Sequence, residues 1–315
     1  MLIHERLAQA KEPVYSFEIV PPARGKSGQE ILDMVETLAP FQPGWIDVTS
    51  HSSSAYYRER DDGTIERKTF RKRPGTLGIC GIIQNRYKID TVAHVLCLGF
   101  TKQETEDALI ELNFMGIENV LALRGDTPNF QKSVPKDRAV NLNSADLVAQ
   151  IQDLNHGKFL EDLDDAQPLR FCVGVAGYPE KHFEAPSLKM DVQNLKKKVD
   201  AGAQYIVTQM FFDNKKYFQF VQMCRDFGIQ IPIIPGIKIL RSEQQLRSLP
   251  RTFHIDLPDE LVEEVAKSPN QCAEIGRRWA LKQSMELLEA KVPSLHFYVL
   301  NDAPMVAQVV RELQK

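Results

Sequence analysis

Short apolar runs rich in β-branched and aromatic residues recur along this chain. Between them lie longer stretches whose apolar positions return every three or four residues. The first run, residues 14–20, is stopped by Pro21-Pro22, which cannot continue a ladder. Ser27 or Gly28 then starts a helix through Met34, Val35 and Leu38, spaced for one apolar face. Residues 44–49 form a second strand. The stretch 52–90 is less regular: Ser52-Ser53-Ser54 and Asp61-Asp62-Gly63 read as loop and turn, and Leu77 to Tyr87 as a helix. Alternation resumes with a strand at 92–97. Thr101 and Glu104 form a capping-box pattern ahead of Ala108, Leu109, Leu112 and Met115, and Gly116 closes that helix. Strands follow at 119–123, 170–176, 205–208 and 231–236, separated by helices opening at Ser144 and spanning 187–201 and 214–227. Two or three helices run up to Glu289, and a last strand covers 295–299.

That makes eight strands, each but the last followed by a helical pattern, which implies a parallel sheet. Eight βα units in a chain of this length favour a closed (β/α)8 barrel as one domain spanning 1–315. A doubly wound open sheet is the competing arrangement. Against it, the chain contains neither G-x-G-x-x-G nor G-x-x-x-x-G-K-[ST]. In a barrel, chemistry sits at the C-terminal ends of the strands. The polar residues at those ends are Glu18, Thr49, Arg124, Asp126, Tyr178 and Gln209. Glu18 interrupts an otherwise apolar strand. A carboxylate so placed is paired, protonated or part of a site, and the strand alone leaves a structural ion pair and a catalytic acid both open.

Charge and composition narrow the partners. A formal net charge of -3 over 315 residues gives no electrostatic reason to expect nucleic acid. No run of about 18 apolar residues is present, so no membrane span is expected. The N-terminal residues lack the basic-then-apolar order of a signal peptide. Five cysteines stand singly at 80, 97, 172, 224 and 272. That pattern argues against a disulfide framework or zinc site and for a reducing cytoplasm.

Nine blocks, taken together and in order, carry a resemblance. They are Phe17-Glu18-x-x-Pro21-Pro22, Val48-Thr49, 93–97, Leu123-Arg124-Gly125-Asp126, 176–180, Asp191-x-x-Asn194-Leu195-x-x-Lys198, Thr208-Gln209-x-Phe211-Phe212-Asp213, 234–237 and His296-Phe297-Tyr298. In this order the chain resembles the methylenetetrahydrofolate reductase family from residue 14 to 301. The resemblance implies a (β/α)8 barrel carrying FAD. It implies reduction of 5,10-methylenetetrahydrofolate to 5-methyltetrahydrofolate with NADH or NADPH, in a homo-oligomer. A barrel flavoenzyme needs no Rossmann glycines. Eukaryotic members carry a C-terminal regulatory domain, and this chain looks like the catalytic barrel alone.

The family's residue roles carry over position by position. Glu18 matches the general acid that protonates the departing amine nitrogen as the imidazolidine ring opens. Its apolar strand is expected to raise its pKa. Asp126 matches the aspartate near the flavin's pyrimidine edge and the pterin; a plain helix N-cap is the bland reading. Thr49, His94, Arg124 and Tyr178 match flavin contacts, with core packing the bland reading for His94 and Tyr178. Asp191, Asn194 and Lys198 share one helix face and match contacts to FAD ribose and phosphates. Lys197 stands where relatives often have Arg, which weakens a bidentate phosphate contact. Gln209 and Gln245 match the folate-holding glutamines, whose amides both donate and accept.

Two departures stand out. Asp302 stands where relatives usually have Arg. The segment 52–73 is long and basic, with Arg67, Lys68, Arg71, Lys72 and Arg73, and suits a lid, an oligomer contact, a polyglutamate partner or a solvated loop. Two other functions compete: a non-redox pterin-binding barrel of the methyltransferase type, and a non-catalytic flavin- or folate-binding module.

Overall fold

In a computed structural model, eight parallel strands close into a barrel with helices between successive strands. The structure describes all residues except 52, 53, 71–74, 126–137 and 301, together with the side chains of 54–56, 69 and 70. In chain order the elements are α1 (Ile3–Gln9), β1 (Val14–Ile19), α2 (Gln29–Leu38), β2 (Trp45–Val48), β3 (Ser54–Glu59), β4 (Ile65–Phe70), α3 (Thr76–Ile82) and β5 (Thr91–Leu96). Next come α4 (Lys102–Phe114), β6 (Asn119–Leu123), α5 (Ser144–Asn155), β7 (Cys172–Gly177), α6 (Leu188–Asp200), β8 (Tyr205–Met210), α7 (Asn214–Asp226) and β9 (Ile233–Ile237). The chain continues through α8 (Gln245–Phe253), α9 (Asp259–Lys267), α10 (Cys272–Glu289), β10 (Ser294–Leu300) and α11 (Ala303–Leu313). The barrel runs β1-β2-β5-β6-β7-β8-β9-β10 and back to β1, which rules out the open sheet.

Side chains alternate across each strand, so one set packs under the helices and the other fills the barrel. Phe17, Ile19, Ile46, Val48, Ala93, Val120, Ile206 and Phe297 face the helices. Trp45, Val92, Leu121, Cys172, Tyr205, Val207 and Ile234 form the inner plug. The same alternation turns Ser16, Glu18, Asp47, His94, His296 and Tyr298 inward. Gly174 leaves room for a large plug residue: a Cβ there would lie 2.2 Å from the Tyr205 ring. Gly236 does the same for Tyr298, whose ring a Cβ would meet at 2.6 Å.

Three elements depart from the sequence reading. Helix α1 was not legible, because seven residues make a marginal helix alone. Leu2 and Ile3 join the inner plug, and Asn119 Oδ1 accepts the Ile3 N–H at 3.0 Å. The segment read as loop and turn at 52–73 contains the antiparallel hairpin β3–β4, joined through Asp61-Asp62-Gly63, with Gly63 at φ +76°. The expected helix 77–87 is α3 followed by one π turn over 83–87. The last strand is also followed by a helix, α11, which completes the eighth βα unit. Elsewhere the expected signals hold: Thr101 and Glu104 exchange both capping-box bonds, and Gly116, Gly202 and Gly228 take positive φ after α4, α6 and α7. No helix among the described residues is long and apolar enough to cross a membrane. All five cysteines are buried and free.

Candidate active site

Two ladder irregularities mark one end of the barrel. Between Glu18 and Ile19 the β1–β10 register slips, with Val299 as the extra residue on β10. Between Val207 and Met210 the β8–β9 register slips, and Gln209 lies inside that slip. Bulges of this kind re-aim side chains and gather beside active sites. Both fall at the C-terminal ends of the strands, where a parallel barrel keeps its chemistry.

Glu18 sits there on the inner face, 9% exposed. Its Oε2 lies 3.6 Å from His94 Nε2 and 3.9 Å from His296 Nε2. One step deeper is Asp47, the residue paired with Glu18 across the β1–β2 ladder and fully buried. Its Oδ1 lies 3.5 Å from His94 Nε2 and its Oδ2 3.6 Å from His296 Nδ1. The Ser16 hydroxyl lies 2.9 Å from the same His296 Nδ1. Four adjacent strands, β10, β1, β2 and β5, therefore close a ring of alternating carboxylates and imidazoles.

The ring's electrostatics overturn one expectation. Burial pushes the Glu18 carboxyl upward, as the apolar strand suggested. The close approach of His296 and the positive fields of His94, His296 and His51 oppose burial and leave the carboxyl below its ordinary range. Burial pushes His94 down, but the close approach of Asp47 and the charges of Glu18 and Asp47 hold its imidazole above the usual value. The two directions agree: before any ligand arrives, the proton favours imidazole over Glu18.

Lys238 closes the ring's other side. It is 3% exposed, and its Nζ donates to the Tyr298 carbonyl at 3.0 Å. Burial and the neighbouring Arg241 bring its ammonium down to about 8, against opposing pulls from Asp302 and Glu18.

The remaining expected residues lie around this mouth. Thr49 follows β2 and is buried, with its hydroxyl lacking a hydrogen-bond partner among the described residues. Arg124 follows β6 and forms an ion pair with Glu184 of the β7–α6 loop, Nη2 donating to Oε1 at 2.8 Å. Tyr178 follows β7 and meets His182 edge-on at 4.8 Å. On α6, Asp191 accepts the His182 N–H at 2.8 Å, and Lys198 donates to the Ala176 carbonyl at the end of β7 at 3.1 Å. Burial holds the Lys198 ammonium below its ordinary value. Asn194 and Lys197 are exposed, with Lys197 Nζ donating to Asn194 Oδ1 at 3.1 Å, so Lys197 is not drawn toward the strand end as Lys198 is. Gln209 is half-buried, and Gln245 opens α8 with its Oε1 accepting the Arg241 N–H at 2.7 Å. Asp126 lies outside the described residues.

Asp302 does not project a free carboxylate. It caps α11 by accepting the Met305 N–H and pairs with Arg241 at 3.1 Å. The Asp302 carboxylate is thus met by an arginine from another loop. Sequence reasoning assigned no role to Asp47, His296 or Lys238. Asp47 carried the signal that singled out Glu18, one carboxylate inside an apolar strand.

A flavin fits these residues. Among the described residues the buried Thr49 Oγ1 after β2 has no hydrogen-bond partner, His94 Nε2 on β5 has only the carboxylates 3.6 and 3.5 Å away, and Lys198 offers a cation at the end of β7. Such orphaned groups are uncommon in a folded interior and suit a ligand that supplies their partners.

Residues 2–314 match the family model of methylenetetrahydrofolate reductase. The chain is 27% identical over 321 residues to the "Probable methylenetetrahydrofolate reductase (NADPH)" of Caenorhabditis elegans, covering 99% of this chain and 44% of that protein. It is 29% identical over 302 residues to "Methylenetetrahydrofolate reductase (NADH) 1" of Arabidopsis thaliana, covering 92% and 46%. It is 28% identical over 307 residues to the "5,10-methylenetetrahydrofolate reductase" of Escherichia coli, covering 96% and 92%. The chain thus spans about half the length of the eukaryotic relatives and most of the bacterial one. Among solved structures, a Clostridium thermocellum protein described as binding two copies of 5-methyl-5,6,7,8-tetrahydrofolic acid shares the fold. It has a TM-score of 0.60 and 12% identity, over 100% of this chain and 99% of that one. The chain belongs to the methylenetetrahydrofolate reductase family.

Proposed function

We propose that this family member reduces 5,10-methylenetetrahydrofolate to 5-methyltetrahydrofolate, taking electrons from NADH or NADPH through FAD in two alternating half-reactions, with Glu18 as general acid. The observation that carries the reading is Glu18 itself: a carboxyl on the inner barrel face, nearly buried, at a bulge and in contact with two imidazoles.

Bound FAD would accept hydride from the nicotinamide and pass it to the one-carbon unit of the folate. The chain's own residues do the rest. Thr49 and His94 offer polar atoms to the flavin, and Arg124 and Tyr178 border it. Asp191, Asn194 and Lys198 line the α6 face for ribose and phosphate, with Lys197 at its edge. A pyrophosphate beside Lys198 would restore the charge that burial disfavours. Gln209 and Gln245 hold the pterin, and Asp126 is assigned beside it on the family pattern alone. Glu18 delivers a proton to the departing amine nitrogen. The imidazoles that lower the Glu18 carboxyl have to return a proton to it when folate displaces water. Loss of water and an anionic substrate both favour the neutral carboxyl. The free cysteines suit a reducing cytoplasm.

The test is anaerobic stopped-flow of the purified protein. It is expected to carry a flavin spectrum, to bleach with NADH or NADPH, and to reoxidise on adding methylenetetrahydrofolate with release of 5-methyltetrahydrofolate. A colourless protein that binds folate would instead place it with non-redox pterin enzymes. A flavin that bleaches but is not reoxidised by the folate would remove the substrate assignment.

A further inference from the structure

Asp47 has no place in the chemistry above, yet it is the most deeply buried acid of the barrel mouth. It is fully buried, and neither carboxylate oxygen has a hydrogen-bond partner among the described residues at strict geometry. Its nearest polar neighbours are the two imidazoles that also face Glu18. A buried carboxylate left unpaired costs several kcal/mol, so Asp47, where ionised, needs imidazolium character on at least one of those rings.

We propose that Asp47 is a positioning residue that keeps a proton on the His94–His296 pair and so reloads Glu18 after each turnover. This rests on the function proposed above. The geometry separates the roles of the ring atoms. His296 turns Nδ1 toward Asp47 and Ser16 and Nε2 toward Glu18. In the relay, the Glu18 carboxyl gives its proton to the substrate amine and becomes a carboxylate. The Nε2 proton of imidazolium His296 then passes to Glu18. The ring is left neutral with its remaining proton on Nδ1, held by Asp47. A solvent proton entering through the mouth restores the imidazolium. His94 Nε2, placed between Oε2 of Glu18 and Oδ1 of Asp47, stabilises both carboxylates while the proton moves.

Other groups face this ring and set its baseline. The Tyr298 phenol from β10, the Tyr205 phenol from β8 and the Cys80 thiol from α3 all feel the Asp47 charge and are pushed up, with burial the larger cause in each. Lys238 beyond β9 and His51 beyond β2 act on Glu18 or are acted on by it. His94 and His296 place ring nitrogens 3.5 and 3.6 Å from the Asp47 carboxylate.

The test compares wild type with Asp47→Asn, and with Asp47→Ser should the amide disturb folding. Flavin content and thermal unfolding establish that each variant is intact. The first readout is NMR of histidine labelled at ring Cε1, assigned with His94→Gln and His296→Gln. Removing the Asp47 charge is expected to lower the midpoint of at least one of the two buried rings by a pH unit or more. The second readout is the pH profile of each half-reaction. The alkaline limb of folate reduction is expected to move to lower pH by a similar interval, and that of flavin bleaching by NADH to stay in place. Unchanged ring midpoints overturn the proposal whatever the activity. Shifted midpoints with an unmoved folate profile overturn the relay. Equal displacement of both half-reactions shows that Asp47 shapes the flavin site instead. A wild-type protein that never transfers to folate, with the midpoints shifting as expected, sinks the proposed reaction and not the proton store.

Discussion

Replacing Glu18 by Gln separates the two half-reactions, because only one of them needs a proton donor. The amide keeps nearly the same volume on the inner face of β1, where the residue is 9% exposed and has little space to relax. It removes one negative charge 3.6 Å from His94 Nε2 and 3.9 Å from His296 Nε2, and with it one of the charges that hold the His94 imidazole up. Asp47, on the far side of the same rings, still holds them in place. Hydride transfer from NADH requires no proton from position 18, and the flavin contacts assigned to Thr49, Tyr178 and Lys198 are untouched. FAD is therefore expected to remain bound and to bleach within about tenfold of the wild-type rate, a barrier change of no more than about 1.4 kcal/mol. Reduction of methylenetetrahydrofolate loses its acid. General acids contribute about 10²–10⁴-fold, roughly 3–5 kcal/mol, so reoxidation by the folate should slow by about a hundredfold or more. Both rates come from flavin absorbance in anaerobic stopped-flow, each half-reaction run alone. If both fall together, Glu18 holds the flavin site and is not the acid. If neither falls, the proton comes from elsewhere in the ring and the assignment of Glu18 is wrong.

Three further outcomes are expected. Lys198→Ala removes a cation held at the end of β7, and the FAD dissociation constant measured by equilibrium titration should rise at least several-fold, since a charge-assisted phosphate contact is worth about 1.5–3 kcal/mol; an unchanged constant returns Lys198 to a packing role. Asp302→Asn keeps an oxygen for the α11 cap but releases Arg241, so NADH or folate should bind a few-fold tighter at low salt, with the gain lost as salt is raised; equal affinity at every salt concentration places Arg241 away from the ligand path. Burial raises the Glu180 carboxyl to about 7 although it accepts the Asp256 N–H. A raised acid makes the folded state hold more protons than the unfolded one, so this residue costs stability as pH rises from about 4.5 to about 7. Glu180→Gln should then raise the melting temperature by a few degrees at pH 8, about 1 kcal/mol after discounting for its partial exposure, and by nothing near pH 4. A gain of the same size at both pH values would mean that the amide acts through packing.

The barrel was legible because its strands are short, β-branched and punctuated, and its helices carry caps and closing glycines that act locally. The capping box at Thr101 and Glu104 formed as read. What escaped were elements whose stability is not local. Helix α1 exists because Leu2 and Ile3 reach the inner plug and Asn119 lies far along the chain to receive them. The hairpin β3–β4 shows no apolar alternation to announce it, and its ladder rests on backbone pairing across the Asp61-Asp62-Gly63 turn. Asp302 was legible as a departure from the family pattern but not as a solved one, because its partner Arg241 lies in another loop.

The site shows the same division at finer grain. The identity of Glu18 as a chemically interesting acid was readable from one strand, and its surroundings were not. An apolar strand predicts a carboxyl pushed upward by burial, yet the inward positions of three other strands deliver His94, His296 and Asp47 to the same point and reverse the direction. Inward alternation is visible within each strand. Which inward residues share a height is set by barrel stagger and by the slip at Glu18 and Ile19, and a single chain does not display either. In the proposed reaction, the general acid would therefore not be one residue with a shifted pKa but a ring of four ionisable groups drawn from β10, β1, β2 and β5.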